Sequence, residues 1–195
     1  MSIKKGATVL AVGILVCIAL SGLRSPAAAR QEEKKGHTKA APISKAVAIL
    51  LPTKASKVQG RVTFTQTDGT MHVHAEISGL APGDHGFHIH EFGVWSEDGL
   101  AAGGHYNPTH EMHAGIDTPK RHIGDLGNIT ANANGNATVD LDDPSLSFHG
   151  PTSIIGRGLV VHEKADDFKT QPTGNAGGRV AVGVIGVAEA LSDGG

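Results

Sequence analysis

Cysteine is nearly missing from this chain, with one residue, Cys17, in 195. It falls inside the only long apolar run, so a chain trimmed of that run carries no thiol at all. An internal disulfide is thereby excluded, and so is any metal site built on thiolate. Aromatic residues are scarce too, at 4%, with a single Trp and a single Tyr. Past residue 29 there is no amphipathic helical period, no internal repeat and no apolar run of bilayer length. Glycine, by contrast, is abundant at 27 residues and sits among short alternating runs, which favours a loop-rich β protein over a helical one.

The apolar run reads as an address. "MSIKK" is a short basic start, "GATVLAVGILVCIALSG" is apolar, and "SPAAA" supplies a small-x-small site before Arg30. This is the layout of a secretory signal peptide over residues 1–29, cleaved after Ala29. Val16 stands before Cys17 where a lipid-anchoring site wants a small residue, so Cys17 is not taken as an anchor. Residues 30–44, "RQEEKKGHTKAAPIS", are polar and aperiodic and read as a flexible tether, with the folded domain over 45–195. Lys4, Lys5 and Arg24 leave with the leader, so 14 of the 17 basic residues remain against 19 acidic ones. A net charge of about −5 with neutral histidine argues against nucleic acid as a partner. Once the leader is gone no membrane partner is expected either.

From Lys45 the hydrophobic period is two. "KAVAILL", "VQGRVTFTQ" and "MHVHAEISGL" read as strands, and Asp68-Gly69 between the last two is a hairpin signal. "HGFHIHEFG" follows after the "APGD" turn. Residues 94–127 then lose all periodicity and fill with Gly, His and Asp. A stretch that long without secondary structure is uncommon in a compact domain unless it is functional. Strand patterns return in "NITANANGNATVDLDD", where Asn134-Gly135 reads as a second hairpin turn, then in "GLVVHEK" and, past another irregular stretch near 164–178, in "RVAVGVIGVAEAL". Short strands, turn signals and two long loops indicate a β-sandwich or barrel.

The chemistry lies in histidine. In "GFHIHEFG", His88 and His90 share one face of a strand and Phe87 and Ile89 the other, with the two histidine Cα atoms about 6.5–7 Å apart. His105, His113 and His122 punctuate the first long loop, Asp125 follows His122 by three, and His162 sits in "GLVVHEK". Imidazole and carboxylate suit zinc and copper(II). Three histidines and an aspartate from one loop would satisfy tetrahedral zinc, and a strand pair with further histidines would give copper(II) its tetragonal nitrogen set. Metal binding could then order the long loop as a disulfide might. Spacing alone is weak evidence, because His72 and His74 in "MHVHAE" repeat it and read as the polar side of a half-buried strand. His37 reads as solvated, and His110, between His105 and His113, as an alternative ligand.

Taken together, "GFHIHEFG", "GGHYNP", "HAG", "RHIGDLGNI", "IIGRGLVVHEKADD" and "GNAGGRVAVGVIG" resemble, in order, the copper/zinc superoxide dismutase family, over about Lys45 to Ala190. The resemblance implies an all-β fold, an eight-stranded Greek-key β-barrel of the immunoglobulin-like sandwich kind, with two long loops over the metal site. It implies copper held by His88, His90, His105 and His162, and zinc by His105, His113, His122 and Asp125, with His105 shared between the metals. Asp166 would be the carboxylate linking His88 and His113. Arg179 would stand over the copper and guide the anion, and His85 would be a structural hydrogen-bonding residue. The implied reaction is disproportionation of superoxide to dioxygen and hydrogen peroxide, with His105 taking and returning a proton. The alternative is a non-catalytic metal buffer or delivery protein on the same fold, for which Arg179 and a shared His105 would be superfluous.

One departure stands out. Family members usually tie the first long loop to the last strand by a disulfide, and Gly99 and Val182 occupy those positions here. Stability is therefore expected to lean on zinc. The second loop is short between Asp167 and Gly174, so steering by its side chains is expected to differ. Localisation is expected to be periplasmic or secreted, the short leader favouring the former, and a homodimer is possible. Asn128 and Asn136 lie in N-x-T patterns and are glycosylation candidates in a eukaryotic host.

Overall fold

Alternation in sequence becomes alternation of burial. In β3 (Thr70–Ser78) Met71, Val73, Ala75 and Ile77 are buried, while the residues between them face outward. β1 (Lys45–Pro52) and β2 (Gln59–Thr67) follow the same rule. β2 and β3 are joined by the Asp68-Gly69 turn, where both residues have positive φ, 48° and 85°. That conformation matches the natural strand twist and suits Asp-Gly. The structure is a computed structural model that describes residues 42–189; the expected leader over 1–29, and the tether over 30–44 up to residue 41, lie outside the described residues.

Five further elements complete the main ladder: β4 (Gly83–His90), β5 (Asp125–Ala131), β6 (Ala137–Asp143), β7 (Gly158–His162) and β8 (Arg179–Val184). The strand order is β5-β4-β7-β8-β1-β2-β3-β6, and each neighbouring pair along it is antiparallel. β1 switches partner along its length, from β2 to β8 at Leu51, and so joins the two halves of the barrel. The chain crosses between β3 and β4 and again between β6 and β7, the Greek-key signature. A two-residue β9 (Gly186–Val187) pairs with β1 where the sequence pattern suggested one continuous last strand. The break comes at Ile185, which is fully buried and whose N–H donates to Arg157 O at 3.0 Å.

Two expectations shift. The Asn134-Gly135 turn forms, with Gly135 N–H donating to Asn132 O at 2.9 Å, but β5 and β6 share no ladder among the described residues. Each is already held on its other edge, β5 by β4 and β6 by β3, so the two diverge beyond the turn. The first long loop ends at Gly124 rather than 127, because Asp125 pairs with His88 and opens β5. Among the described residues helix is confined to two 3-10 turns, Glu97–Ala102 and Gly150–Thr152. No described helix is long and apolar enough to cross a membrane.

The barrel interior is filled by Leu50, Phe64, Met71, Phe87, Ile89 and Leu159 and narrowed by alanines such as Ala46, Ala48 and Ala75. Each large side chain contributes about 1.5–3 kcal/mol on burial. Phe87 and Ile89 face this core, so His88 and His90 face the other way. The two long loops bury them there, at 0% and 1% exposure.

Candidate metal centre

Two strands and one loop deliver the histidines, and a third strand the aspartate. β4 supplies His88 and His90. The first loop returns to β4 as an extra bridge at His90 and His105, with Tyr106 N–H donating to Ile89 O and Glu91 N–H to Gly104 O. His162 ends β7 at a register shift against β8, the kind of bulge that re-aims a side chain. His113 and His122 come from the loop, and Asp125 opens β5 three residues later.

One donor atom from each of His88, His90, His105 and His162 lies within 4.8 Å of the others, and the same holds for His105, His113, His122 and Asp125. His105 belongs to both groups. Its ring centroid is 4.0 Å from that of His88, 5.1 Å from His90, 5.2 Å from His113 and 5.6 Å from His122.

Hydrogen bonds decide which nitrogen each ring turns inward. His90 Nδ1 donates to Gly103 O at 2.9 Å and His162 Nδ1 to Gly177 O at 3.2 Å, so both present Nε2 to the centre, 3.3 Å apart. His88 Nε2 donates to Asp166 Oδ2 at 2.8 Å, leaving Nδ1 free. His113 Nε2 donates to Asp166 Oδ1 at 2.9 Å, likewise freeing Nδ1. Asp166 thus spans the two groups, one carboxylate oxygen to each. Such an outer carboxylate fixes tautomer and ring orientation in metal-binding imidazoles.

The donors fit a metal pair. His88 Nδ1, His105 Nε2, His113 Nδ1 and His122 Nδ1 are buried without any hydrogen-bond partner. Leaving such atoms unpaired is costly, and buried polar groups are almost always satisfied. Asp125 Oδ1 is meanwhile approached by three imidazole nitrogens, His105 Nδ1 at 2.8 Å, His113 Nδ1 at 3.1 Å and His122 Nδ1 at 3.3 Å. Four N and O donors around one point is the zinc pattern, and an all-imidazole set beside it suits copper(II).

Electrostatics follow the same division. Burial, with neighbouring histidines, pushes His105 down to about 4 and His162 to about 3, and holds His90 well below its ordinary range. Burial also opposes charge on His113, but Asp125 and Asp166 outweigh it and raise this imidazole to about 9. The three histidines around Asp125 hold its carboxyl far below the usual carboxylate range despite burial, and His113 and His88 do the same for Asp166. In the absence of metal His90, His105 and His162 are therefore neutral at pH 7, while His113 is charged between the carboxylates of Asp125 and Asp166.

Arg179, half-buried at the start of β8, donates through Nη1 to Gly99 O and through Nη2 to Gly103 O at 2.5 Å. Gly103 O, which takes Arg179 Nη2, also accepts from His90 Nδ1, so the guanidinium stands beside the first group. Gly99 has φ +85°, and a Cβ there would stand 2.6 Å from Val182 Cγ2. The two positions that would carry the family's disulfide are therefore in direct contact. A buried valine fills the hollow over a glycine that cannot grow a side chain.

Three anchors escaped sequence reasoning. Arg121, buried, donates through Nη2 to Asp143 Oδ2 at 2.5 Å and through Nε to Asp125 O at 3.0 Å, tying the loop to β6 and to β5. Asn128 holds the backbone of Asp166 from both sides, accepting from its N–H at 2.8 Å and donating Nδ2 to its O at 2.9 Å. Nδ2 is the atom a glycan would need, so Asn128 is engaged, while Asn136 is exposed. Gln171 grips the backbone of His113 in the same two-handed way, at 2.9 and 2.8 Å. Nothing in the local pattern marks these three, because their partners lie 22 to 58 residues away or, for Arg121 and Asp125, in nearby backbone.

The remaining histidines separate cleanly. His85 is buried, with its ring 2.8 Å from both His162 O and Ala81 O. His110 is exposed at positive φ and joins neither group. His72 and His74 face outward from β3. His37 lies outside the described residues.

Comparison with known proteins agrees with this geometry. The family model for copper/zinc superoxide dismutase matches residues 58–185. The chain is 46% identical over 140 residues to an extracellular Cu-Zn superoxide dismutase of Drosophila melanogaster, covering 68% of this chain and 77% of that protein. It is 42% identical over 160 residues to an extracellular Cu-Zn superoxide dismutase of Caenorhabditis elegans, covering 77% of this chain and 72% of that protein. Among solved structures, the clock protein EA4 superposes with a TM-score of 0.72 at 46% identity, over 78% of this chain and 99% of that one.

Proposed function

Because the chain belongs to the copper/zinc superoxide dismutase family, we propose that the two histidine groups are its working site and disproportionate superoxide. The enzyme is a superoxide dismutase with copper and zinc as its metals. The observation that carries the site assignment is the set of four buried imidazole nitrogens with no partner, shared between the groups through His105. His88, His90, His105 and His162 would hold copper, and His105, His113, His122 and Asp125 would hold zinc.

Copper, when bound, supplies the one-electron couple for turning two superoxide ions and two protons into dioxygen and hydrogen peroxide, and zinc a fixed positive charge. The chain's residues do the rest. Arg179, fastened to Gly99 and Gly103, holds its guanidinium beside His90 and His162 and draws the anion there. A positive group in a narrow mouth raises the local concentration of anions even on an acidic protein. His105 Nε2, unpartnered on the copper side, would hold and return a proton, while Nδ1 faces Asp125 and the zinc donors. Asp166 keeps His88 and His113 in orientation, and the loops exclude water from the rings.

Export is part of the proposal. The leader pattern over 1–29 and the extracellular names of both relatives favour secretion over a periplasmic home. A homodimer is proposed through Ile49 and Leu51 of β1 and Val184 of β8, which stand about half exposed, Val184 beside Gly93 and Ile49 beside Gly183. Sedimentation should give twice the chain mass, and Leu51→Asp should return it to one.

The decisive experiment is superoxide decay with the copper- and zinc-loaded protein. Fast decay that is lost when Arg179 and His162 are replaced is the expected result. Full metal occupancy with no decay beyond that of free copper would overturn the assignment and leave a metal-holding protein.

A further inference from the structure

The second loop is short, yet it is braced as a unit. Asp167 Oδ1 accepts from Lys169 N–H at 2.9 Å and from Thr170 N–H at 2.7 Å, and its Oδ2 accepts from Thr170 Oγ1 at 2.6 Å. The neck is closed by Asp167 N–H donating to Gly174 O at 2.9 Å and Gly174 N–H to Thr170 O at 2.7 Å. Gly174 has φ +65°, and a Cβ there would run into Asp166 Oδ1, so glycine is what lets the neck lie across that carboxylate. Side-chain caps of this kind fix a turn locally, without help from the rest of the chain.

This braced loop meets the first long loop at His113 and Gly115. Gln171 takes His113 by the backbone, Oε1 accepting its N–H at 2.9 Å and Nε2 donating to its O at 2.8 Å. A carboxamide carries a donor and an acceptor side by side, so it binds both groups of one residue. Asp166 Oδ1 takes the ring of the same residue through Nε2, at 2.9 Å. Phe168 covers Gly115, where a Cβ would stand 3.3 Å from the phenyl ring. Phe168 itself has φ +61°, a conformation that bulky residues rarely adopt and that persists only where the surroundings impose it. Its N–H donates to Asp166 Oδ1 at 2.7 Å, the oxygen that also takes the His113 ring. The backbone of His113, its ring and the residue two beyond it are thus each held by a different side chain between positions 166 and 171.

We propose that Gln171 and Phe168 are positioning residues for the zinc ligand His113, and that the short second loop latches the first loop where a covalent tie is lacking. The inference rests on the zinc reading given above. His113 Nδ1, the nitrogen left for the ion, stands 3.1 Å from Asp125 Oδ1. It keeps that place only while the backbone carrying the ring is fixed, and the lone Cys17 supplies no disulfide to fix it. Partners behind a metal ligand are commonly worth about 10- to 100-fold in metal affinity.

Titration of the copper- and zinc-loaded protein with a zinc chelator, counting both metals retained, tests it. Gln171→Ala should release zinc at about tenfold lower chelator concentration than the parent and keep its copper. Gln171→Glu, which keeps the size and loses the donor, should do the same. Phe168→Ala should follow them, and Phe168→Leu should hold zinc nearly as the parent does. Both positions are exposed, so the fold is not at stake. Cobalt(II) in place of zinc gives a visible spectrum set by ligand geometry, and it should shift in Gln171→Glu while circular dichroism stays that of the parent. His122→Ala removes a zinc donor and serves as the reference. If it releases zinc while the Gln171 variants and Phe168→Ala hold it as the parent does, the latch is overturned and the zinc reading stands. If His122→Ala holds zinc as firmly as the parent, the zinc reading falls and the latch with it.

Discussion

Two strands of this barrel carry the same spacing, His72 and His74 on β3, His88 and His90 on β4, and they lead different lives. On β4 the histidine face is roofed by two loops, so the rings are dehydrated, stacked against further imidazoles and short of partners. On β3 the same face looks at water and meets two aspartates from β6. A histidine pair in a strand guarantees only that two rings share a side. What stands opposite, and how much water remains, decides whether they turn toward a metal or toward carboxylates at the surface.

The comparison breaks most violently if the β4 pair is deprived of its neighbour from β7. His162→Ala should lower the rate of superoxide decay at least 100-fold with the fold intact by circular dichroism. The β4 pair would then lack one of the four imidazoles that converge on it. A fall of less than tenfold would mean that the rate does not depend on the four-histidine set. Next in size is zinc. No covalent tie holds the first loop, and metal binding is the obvious substitute. Selective removal of zinc should lower the melting temperature by about 10 °C or more. If calorimetry shows it barely moving, the contacts of Arg121, Gln171 and the Gly99–Val182 pair already hold the loop.

Much of this was legible in sequence. Alternation gave β1 to β4, and Asp68-Gly69 gave its turn, because strand period and turn chemistry are local. The first long loop announced itself by lacking any period. Its convergence on β4 was another matter: His105, His113 and His122 are far from His88 in the chain, and only the family resemblance assigned them to shared ions. The register shift that aims His162, the splaying of β5 from β6, and the clamps of Arg121 on Asp143 and of Asn128 on Asp166 depend on partners the local pattern does not name. Asn128 is instructive, since its N-x-T context suggested a surface role while its amide is spent on the backbone of Asp166.

A smaller effect sharpens the comparison at the roof of the β4 pair. Gly99 combines positive φ with a Cβ direction aimed at Val182, so Gly99→Ala strains the backbone and crowds a buried side chain. The expected cost is about 2 kcal/mol in denaturant unfolding, within the range for strain and overpacking. Because Gly99 O and Gly103 O fasten Arg179, the rate should fall along with the stability. A change in stability alone would separate the loop from the arginine.

The mildest test uses pH on the metal-stripped protein, where dehydration of the β4 face becomes a measurable slope. His105 and His162 ionise at about 4 and 3 in the folded chain against an ordinary value near 6.5, and His90 is lowered as well. Below pH 6.5 the unfolded chain binds protons that the folded one refuses, so stability falls as pH drops toward 4. Asp125 and Asp166, held low in the folded state, add to the loss as pH falls further. His113 acts on the other limb: raised to about 9, its contribution is complete below 6.5 and disappears as pH climbs through 9. The melting temperature of the stripped protein should therefore peak near neutrality, with the acid limb steeper because three imidazoles and two carboxylates act there against one. His162→Gln removes one of those imidazoles and should make the acid limb shallower. A stripped protein more stable at pH 5 than at pH 7 would mean that the β4 face takes up protons as freely as an exposed one, and that the roof is open.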